Sequence, residues 1–271
     1  MKRKWYATPY LVWLILFSIV PLVFVGYFAF TTKSGEWTVA NFQKILQPMY
    51  MSVLGQSIVI ALECTAVCLL VGYPTAYFLS SKDLSASQAL VVLILVPMWM
   101  NFLLRTYAMM SLLETNGVIN TALEAIGLPK LQLIGTKPAV VMGMVYNYLP
   151  FMILPIYTVL KKIDDGVLEA ARDLGANAWQ TFFRVTLPLS IPGVISGLTM
   201  VFLPSVTTFA ITTMLGSGKV YLVGDMIEDF FINMNNKNVG SAISLILMVL
   251  IFISIGMLRK ADPDGEGGGL M

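Results

Sequence analysis

Apolar residues recur along this chain in long runs separated by short polar intervals, without the alternation that marks half-buried surface elements. A helix rises about 1.5 Å per residue, so roughly 20 apolar residues cross the ~30 Å hydrocarbon core of a bilayer. Six stretches reach that length: 10–30, 53–79, 89–113, 139–160, 191–215 and 239–258. The pattern predicts an all-α membrane protein, six transmembrane helices in one domain over residues 1–258, with the lipid bilayer as its first partner.

Composition supports this picture and removes several function classes. Of 271 residues, 57% are hydrophobic and 12% charged, against about 45–50% and 25% in soluble domains. The net charge is only +2 and the basic residues are scattered, so no nucleic-acid partner is expected. The chain has no histidine, which excludes Ser-His-Asp and Cys-His nucleophile systems and His-ligated metals. No catalytic residue, metal ligand or bound cofactor is therefore expected. Cys64 and Cys68, four apart in an apolar run, share one helix face and are expected to bury as small hydrophobes.

Charge at the span ends sets an expected orientation. The basic Met1-Lys2-Arg3-Lys4 start precedes an apolar run too long for a signal peptide and without a small-residue cleavage site, as in an uncleaved anchor. With that end inside, Lys161-Lys162 and Arg259-Lys260 also lie at inner span ends, and the inner segments hold most of the basic residues. Both termini are then cytoplasmic. The acidic, glycine-rich tail over 259–271 is expected to be disordered.

One inner segment, 161–190 between spans four and five, is far longer than an ordinary helix connection and so invites a function. Asp164 or Asp165 can cap a short helix carrying Leu168, Ala171 and Leu174 on one side, and Gly175 suits its C-terminus. A second short helix comes next, with Trp179, Phe182, Phe183 and Leu187 as its apolar side, so that two amphipathic helices joined at a glycine form a compact projection. Loop physics alone leaves a hairpin lying on the membrane surface as the alternative.

Glu169-Ala170-Ala171, Gly175 and Leu187-Pro188 reproduce the spacing E-A-A-x3-G-x9-I-x-L-P, with Val185 in the isoleucine place. This resembles the EAA loop of ABC-importer membrane subunits, where the loop docks as a coupling helix on a cytoplasmic ATPase. The resemblance implies a type I importer fold and an ATPase-coupling role for Glu169, Ala170, Ala171, Asp173, Gly175, Leu187 and Pro188. The 96–107 stretch, the Leu149-Pro150-Phe151-Met152 corner and Leu215-Gly216-Ser217-Gly218 are similar to spermidine/putrescine permeases of the PotB type, from which the 233–238 loop departs. The implied partners are two ABC ATPase subunits that bind the ATP, a paralogous second permease and an extracytoplasmic polyamine-binding protein. Gly216-Ser217-Gly218-Lys219 looks like the end of a phosphate loop, but Thr213 and Val220 break the pattern and no nucleotide site is expected here.

Other readings stay open on the sequence. The same loop serves importers of sulfate, iron or phosphonates, and a homo-oligomeric channel with Glu63 and Arg105 in a selectivity ring is compatible with the composition. Glu63 and Arg105 are the ionisable residues well inside spans, at about 15 and 12 Å below the outer ends of spans two and three. Similar depth makes an ion pair the leading expectation, and a cavity-facing role the alternative. Pro97, Pro150, Pro155 and Pro204 interrupt backbone hydrogen bonding in spans three to five, and Trp99, Tyr146 and Phe209 beside them are candidate cation–π surfaces on a substrate path. Asp225, Glu228 and Asp229 fall on an outer loop, where a solvated acidic segment is the plainer reading and attraction of a cation the alternative.

Overall fold

The computed structural model describes residues 8–80 and 87–260, which are almost entirely helical; residues 1–4, Lys82 and the tail beyond residue 260 lie outside the described residues. Five helices are long and apolar enough to cross a membrane, or six if one bent pair counts as a single span. In chain order these are α1 (Pro9–Ala29), α3 (Pro48–Ser80), α7 (Lys137–Lys162), α9 (Ala178–Thr207) and α12 (Lys237–Lys260). The bent pair contains α4 (Ser87–Leu95) and α5 (Phe102–Leu113). Shorter helices join them: α2 (Ala40–Ile45), α6 (Val118–Ala125), α8 (Asp165–Asp173), α10 (Ala210–Leu215) and α11 (Val223–Glu228).

The centre of the fold is the mutual packing of α3, α7 and α9. Buried positions of α3, among them Ile60, Cys64, Cys68, Gly72, Ala76 and Leu79, recur at three- and four-residue spacing and form one stripe. Both cysteines are fully buried and free, and the Ser205 hydroxyl lies 3.5 Å from Cys64 Sγ. Lipid tails are as apolar as leucine, so hydrophobicity alone does not drive such packing; close approach does. Gly72 and Gly197 let α3 and α9 close on Met152 of α7, where an added Cβ would stand 2.9 and 2.8 Å from the Met152 side chain. At Gly193 an added Cβ would meet the Pro155 carbonyl at 2.9 Å and Ile156 Cα at 3.1 Å, atoms of the α7 backbone that cannot turn aside.

A second cluster joins α12 to the C-terminal half of α1 and to α2, with Ala29, Ile45, Val239, Ala242 and Ile243 buried. It is fastened by two asparagines. Asn41 donates to the Ala29 and Thr31 carbonyls, both at 2.9 Å, and Asn238 donates to the Thr31 carbonyl at 2.7 Å and the Phe28 carbonyl at 3.1 Å. The carbonyls left over at the end of α1 are thereby satisfied. In the N-terminal half of α1, Tyr10, Trp13 and Phe17 are all exposed.

Two expected spans take a different form. The run 89–113 is not one straight helix: α4 passes into a 3-10 turn at Val96–Trp99, Met100 is extended at ψ 150°, and α5 leaves at 94° to the preceding segment. Pro97 favours the break, and the Asn101 side chain fixes the new start by accepting from Leu103 N at 2.9 Å and Leu104 N at 3.3 Å. The run 191–215 ends early as well. One turn after Pro204, Thr208 turns extended, and 210–215 forms the separate helix α10, packed against α5 and α7. Pro150 and Pro155, in contrast, sit inside the continuous α7.

Replacing Gly193 by leucine should force α7 and α9 apart and cost about 1–3 kcal/mol by overpacking. Thermal unfolding in detergent should show a melting temperature lowered by several degrees, whereas Gly26→Leu, where nothing lies within 4 Å of the new Cβ, leaves it unchanged.

Candidate coupling loop and intramembrane polar groups

The 161–190 loop is built as a stop and a restart. Asp164 accepts from Gly166 N at 3.4 Å and opens α8, which has Asp165 in its first turn and Arg172 in its last, each favourable to the helix dipole. Gly175 ends it at φ +84°, a conformation in which a side chain is strained, while Gly175 N bonds the Arg172 carbonyl at 2.8 Å and Ala176 N that of Ala171 at 3.1 Å. Asn177 and Gln180 then form a reciprocal capping box, both bonds at 2.9 Å, that starts α9.

The second short helix expected here is not separate. It runs through a π turn at Phe182–Thr186 straight into the long span, so Leu187 and Pro188 belong to the membrane helix instead of the projecting loop. Glu169, Ala170, Asp173, Gly175 and Pro188 are exposed, and Ala171 and Leu187 are half-buried. Leu174, placed on the packed stripe by periodicity, is instead 89% exposed at the tip. Beside it Trp179 and Phe183 stack with centroids 5.7 Å apart and planes within 10°, both facing outward.

This apolar tip is rigidly tied to the spans. Phe182 places its ring edge-on between Tyr73 and Tyr77 of α3, at 5.9 and 5.4 Å, and the Tyr73 hydroxyl meets Ser190 of α9 at 2.8 Å. A cavity of about 540 Å³ lies under the loop, lined by Tyr77, Lys161, Glu169, Arg172 and Thr181 among others. The start of α9 is therefore joined to α3 through packed rings and one hydroxyl contact.

The groups inside the spans are arranged differently from the expected ion pair. Glu63 accepts from Lys137 Nζ at 2.7 Å, not from Arg105, and both partners are partly exposed. Counting along straight helices did not foresee the 94° bend before α5 or that Lys137, the first residue of α7, meets Glu63. Arg105 is buried on α5 and makes no ion pair among the described residues.

The three aromatic candidates do not form a cluster. Tyr146 is half out of the fold on an apolar groove that also holds Glu63, Met109, Lys137 and Met142; Trp99, 81% exposed, stands at the 94° bend; and Phe209 is exposed at the end of α9. No ring contact joins them among the described residues.

The acidic segment with Asp225, Glu228 and Asp229 is folded, which corrects the expected solvated loop for Asp225. Asp225 is buried and accepts from the Thr212 hydroxyl at 2.6 Å, the Thr213 hydroxyl at 3.3 Å and Leu222 N at 2.8 Å, joining α10 to α11. Asp229 accepts from Tyr221 at 2.7 Å and Asn233 at 2.6 Å. Together with Glu228 these residues line a cavity of about 250 Å³. Burial pushes the Asp225 carboxyl above its ordinary 3.8, and the Thr212, Leu222 and Thr213 donors only partly oppose the shift. Burial and then the Asp229 carboxylate push the Tyr221 hydroxyl upward. The sequence signal for this network was Leu222-Val223-Gly224-Asp225, a helix start with an acid at its third position, preceded by paired threonines.

The inner-membrane component of binding-protein-dependent transport systems matches residues 1–264 of this chain. The chain belongs to that family. It is 39% identical over 258 residues to the spermidine/putrescine transport system permease protein PotB of Haemophilus influenzae, covering 92% of this chain and 90% of that one. The PotB protein of Escherichia coli is 36% identical over 258 residues, with 92% and 94% covered. Among solved structures, a bacterial ABC transporter for the acidic polysaccharide alginate superposes with TM-score 0.76 at 19% identity over 96% of each chain. The MetNI methionine transporter in an inward-facing form gives TM-score 0.59 at 17% identity, over 79% of this chain and 96% of that one. These two establish a shared type I importer fold. The family is a membrane permease, so this chain is a multi-pass inner-membrane transport subunit and not an enzyme.

The raised Asp225 carboxyl sets a pH dependence. Just above 3.8 the folded state holds a proton that the unfolded chain has released, so stability falls as pH rises through that window. A pH series of melting temperatures should show this slope in the wild type and lose it in Asp225→Asn.

Proposed function

We propose that this chain is one of two membrane subunits of an ATP-driven polyamine importer, taking spermidine or putrescine from an extracytoplasmic binding protein. The observation that carries the reading is the coupling loop. An EAA segment is held on a capped helix, ends at Gly175 with φ +84°, and is tied through Phe182 to the α3 and α9 spans. The similarity to spermidine/putrescine permeases over 92% of the chain supports the cargo.

In this reading both termini and the 161–190 loop face the cytoplasm, and each of two ATPase subunits receives one such loop, the second from a paralogous permease. Leu174, Trp179 and Phe183 form the apolar surface that enters the ATPase, and Glu169, Arg172 and Asp173 the polar rim around it. ATP is bound and hydrolysed on those subunits. Their closure pushes on α8, and the packed rings pass the motion to the spans that enclose the path. Trp99, Tyr146 and Phe209 offer weak cation–π contacts of about 1 kcal/mol each to a passing ammonium group, which suits passage better than a deep carboxylate trap. Asp225, Glu228 and Asp229 face the outer side, where their charge draws a polycation toward the path.

Gly175→Leu places a side chain in the left-handed region at a cost of order 1–3 kcal/mol and disturbs the stop between α8 and α9. In proteoliposomes holding the full complex, uptake of labelled spermidine should fall at least tenfold while ATP hydrolysis persists. Wild-type uptake in that variant overturns the coupling role. A wild-type complex that takes up sulfate or a phosphonate and ignores spermidine and putrescine overturns the cargo and leaves the coupling role standing.

A further inference from the structure

Two buried side chains with opposite needs stand on α5 and α7, helices joined by the Asn147 to Thr106 hydrogen bond, and each keeps polar atoms without a partner. Arg105, on the first turns of α5, is 6% exposed, and its Nε and Nη1 are enclosed with no acceptor. Asn147 of α7 is fully buried and spends its amide hydrogens on the Gly143 carbonyl at 2.9 Å and Thr106 Oγ1 at 3.4 Å; its Oδ1 is enclosed with no donor. Thr106, the residue beside Arg105, holds the place facing Asn147. The hydroxyl of Tyr148, the residue beside Asn147, lies within electrostatic reach of the Arg105 charge.

Among the described residues no carboxylate pairs with Arg105. Of the helices packed on α5, α7 and α10 contain no aspartate or glutamate, and Glu124 of α6 pairs with Lys130 at 3.4 Å. Glu63 is taken by Lys137, and Asp225 by Thr212, Thr213 and Leu222 N. An uncompensated guanidinium in a low-dielectric interior destabilises the conformation that contains it, and an enclosed lone carbonyl oxygen adds to the penalty. Both penalties vanish together if the two groups meet. The geometry permits it: Arg105 stands one residue, about 100°, round the helix from Thr106, and its side chain is long. The joint for such a turn is also present, because α5 is connected to α4 only through the extended Met100 at the 94° bend and restarts on its own Asn101 cap.

We propose that Arg105 and Asn147 are two halves of a clasp, open in this conformation and closed, guanidinium N–H to Asn147 Oδ1, in the opposite state of the transport cycle. Arg105 is then a positioning residue: rotation of α5 between two bistable arrangements is biased by whether this bond exists. The inference rests on the chain's being a subunit that alternates between two states under ATP, and not on which solute is carried.

The test compares the assembled complex in nanodiscs without nucleotide and after trapping with ATP and vanadate. Arg105→Met should lower the melting temperature of one state by several degrees and leave the other unchanged or raised, because only one state contains the bond. Transport should fall at least tenfold in the same variant. Asn147→Asp, which offers the guanidinium a carboxylate in the same shape, should raise the melting temperature of the state that Arg105→Met lowers, and slow turnover by holding it. Equal shifts of both states in Arg105→Met, or an Asn147→Asp that stabilises neither state or both alike, overturn the clasp. These shifts are read without any solute, so they stand apart from the outcome of the spermidine uptake measurement.

Discussion

Hydrocarbon offers a backbone no hydrogen-bond partner, so every interruption of a membrane helix must be answered by a group the protein itself provides. Asn101 answers the end of the 3-10 turn by taking two amide hydrogens of the next helix. Asn41 and Asn238 answer the open carbonyls of α1. At the end of α9 the Tyr148 hydroxyl reaches the Pro204 carbonyl at 3.5 Å, and Gly224 fits closely over the Thr207 and Thr208 carbonyls, where any side chain would collide. Most of these responders come from other elements of the chain. Each helix break they answer is thus also a point of tertiary attachment, and the breaks hold the fold together as much as the continuous helices do.

The same constraint separates rigid from movable parts. Around Met152 the α3, α7 and α9 backbones touch closely enough that glycine is required, and such packing transmits displacement without absorbing it. The coupling loop feeds into this block through Phe182, Tyr73 and Ser190. On the other side of α7, α5 is joined to its neighbours by fewer fixed bonds and carries unmet polar groups. In the importer proposed above, an energy source acting at the loop meets this closely packed block first and the clasp of α5 afterwards.

Charge is distributed to match. Two acidic groups are already engaged: Glu63 with Lys137, Asp225 with two hydroxyls and an amide. In the proposed importer, engaged carboxylates hold a passing cation weakly, which allows release. Exposed aromatic rings at Trp99 and Phe209 and the half-exposed Tyr146 offer attraction without a permanent counter-charge.

The sequence by itself determined the features that depend on length, hydrophobicity and local spacing. Apolar runs of about 20 residues specify membrane spans whatever their neighbours do. The Asp164 cap, the Glu169-Ala170-Ala171 run and Gly175 specify a short helix with a fixed stop, because capping and left-handed glycine act within a few residues. The tertiary structure decided the features that depend on direction and partner. A proline marks a possible break but does not say whether it bends a helix by 94°, as at Pro97, or leaves it continuous, as at Pro155, since neighbouring elements must supply the freed groups with partners. Depth counted along a straight axis paired Glu63 with Arg105, whereas the packing of α3 on α7 sets Lys137 against Glu63 instead. Which residues share a helix face is a local property; which faces meet is set by the whole packed set, and that set Asn147 against Thr106 and left polar atoms of Arg105 and Asn147 buried without partners.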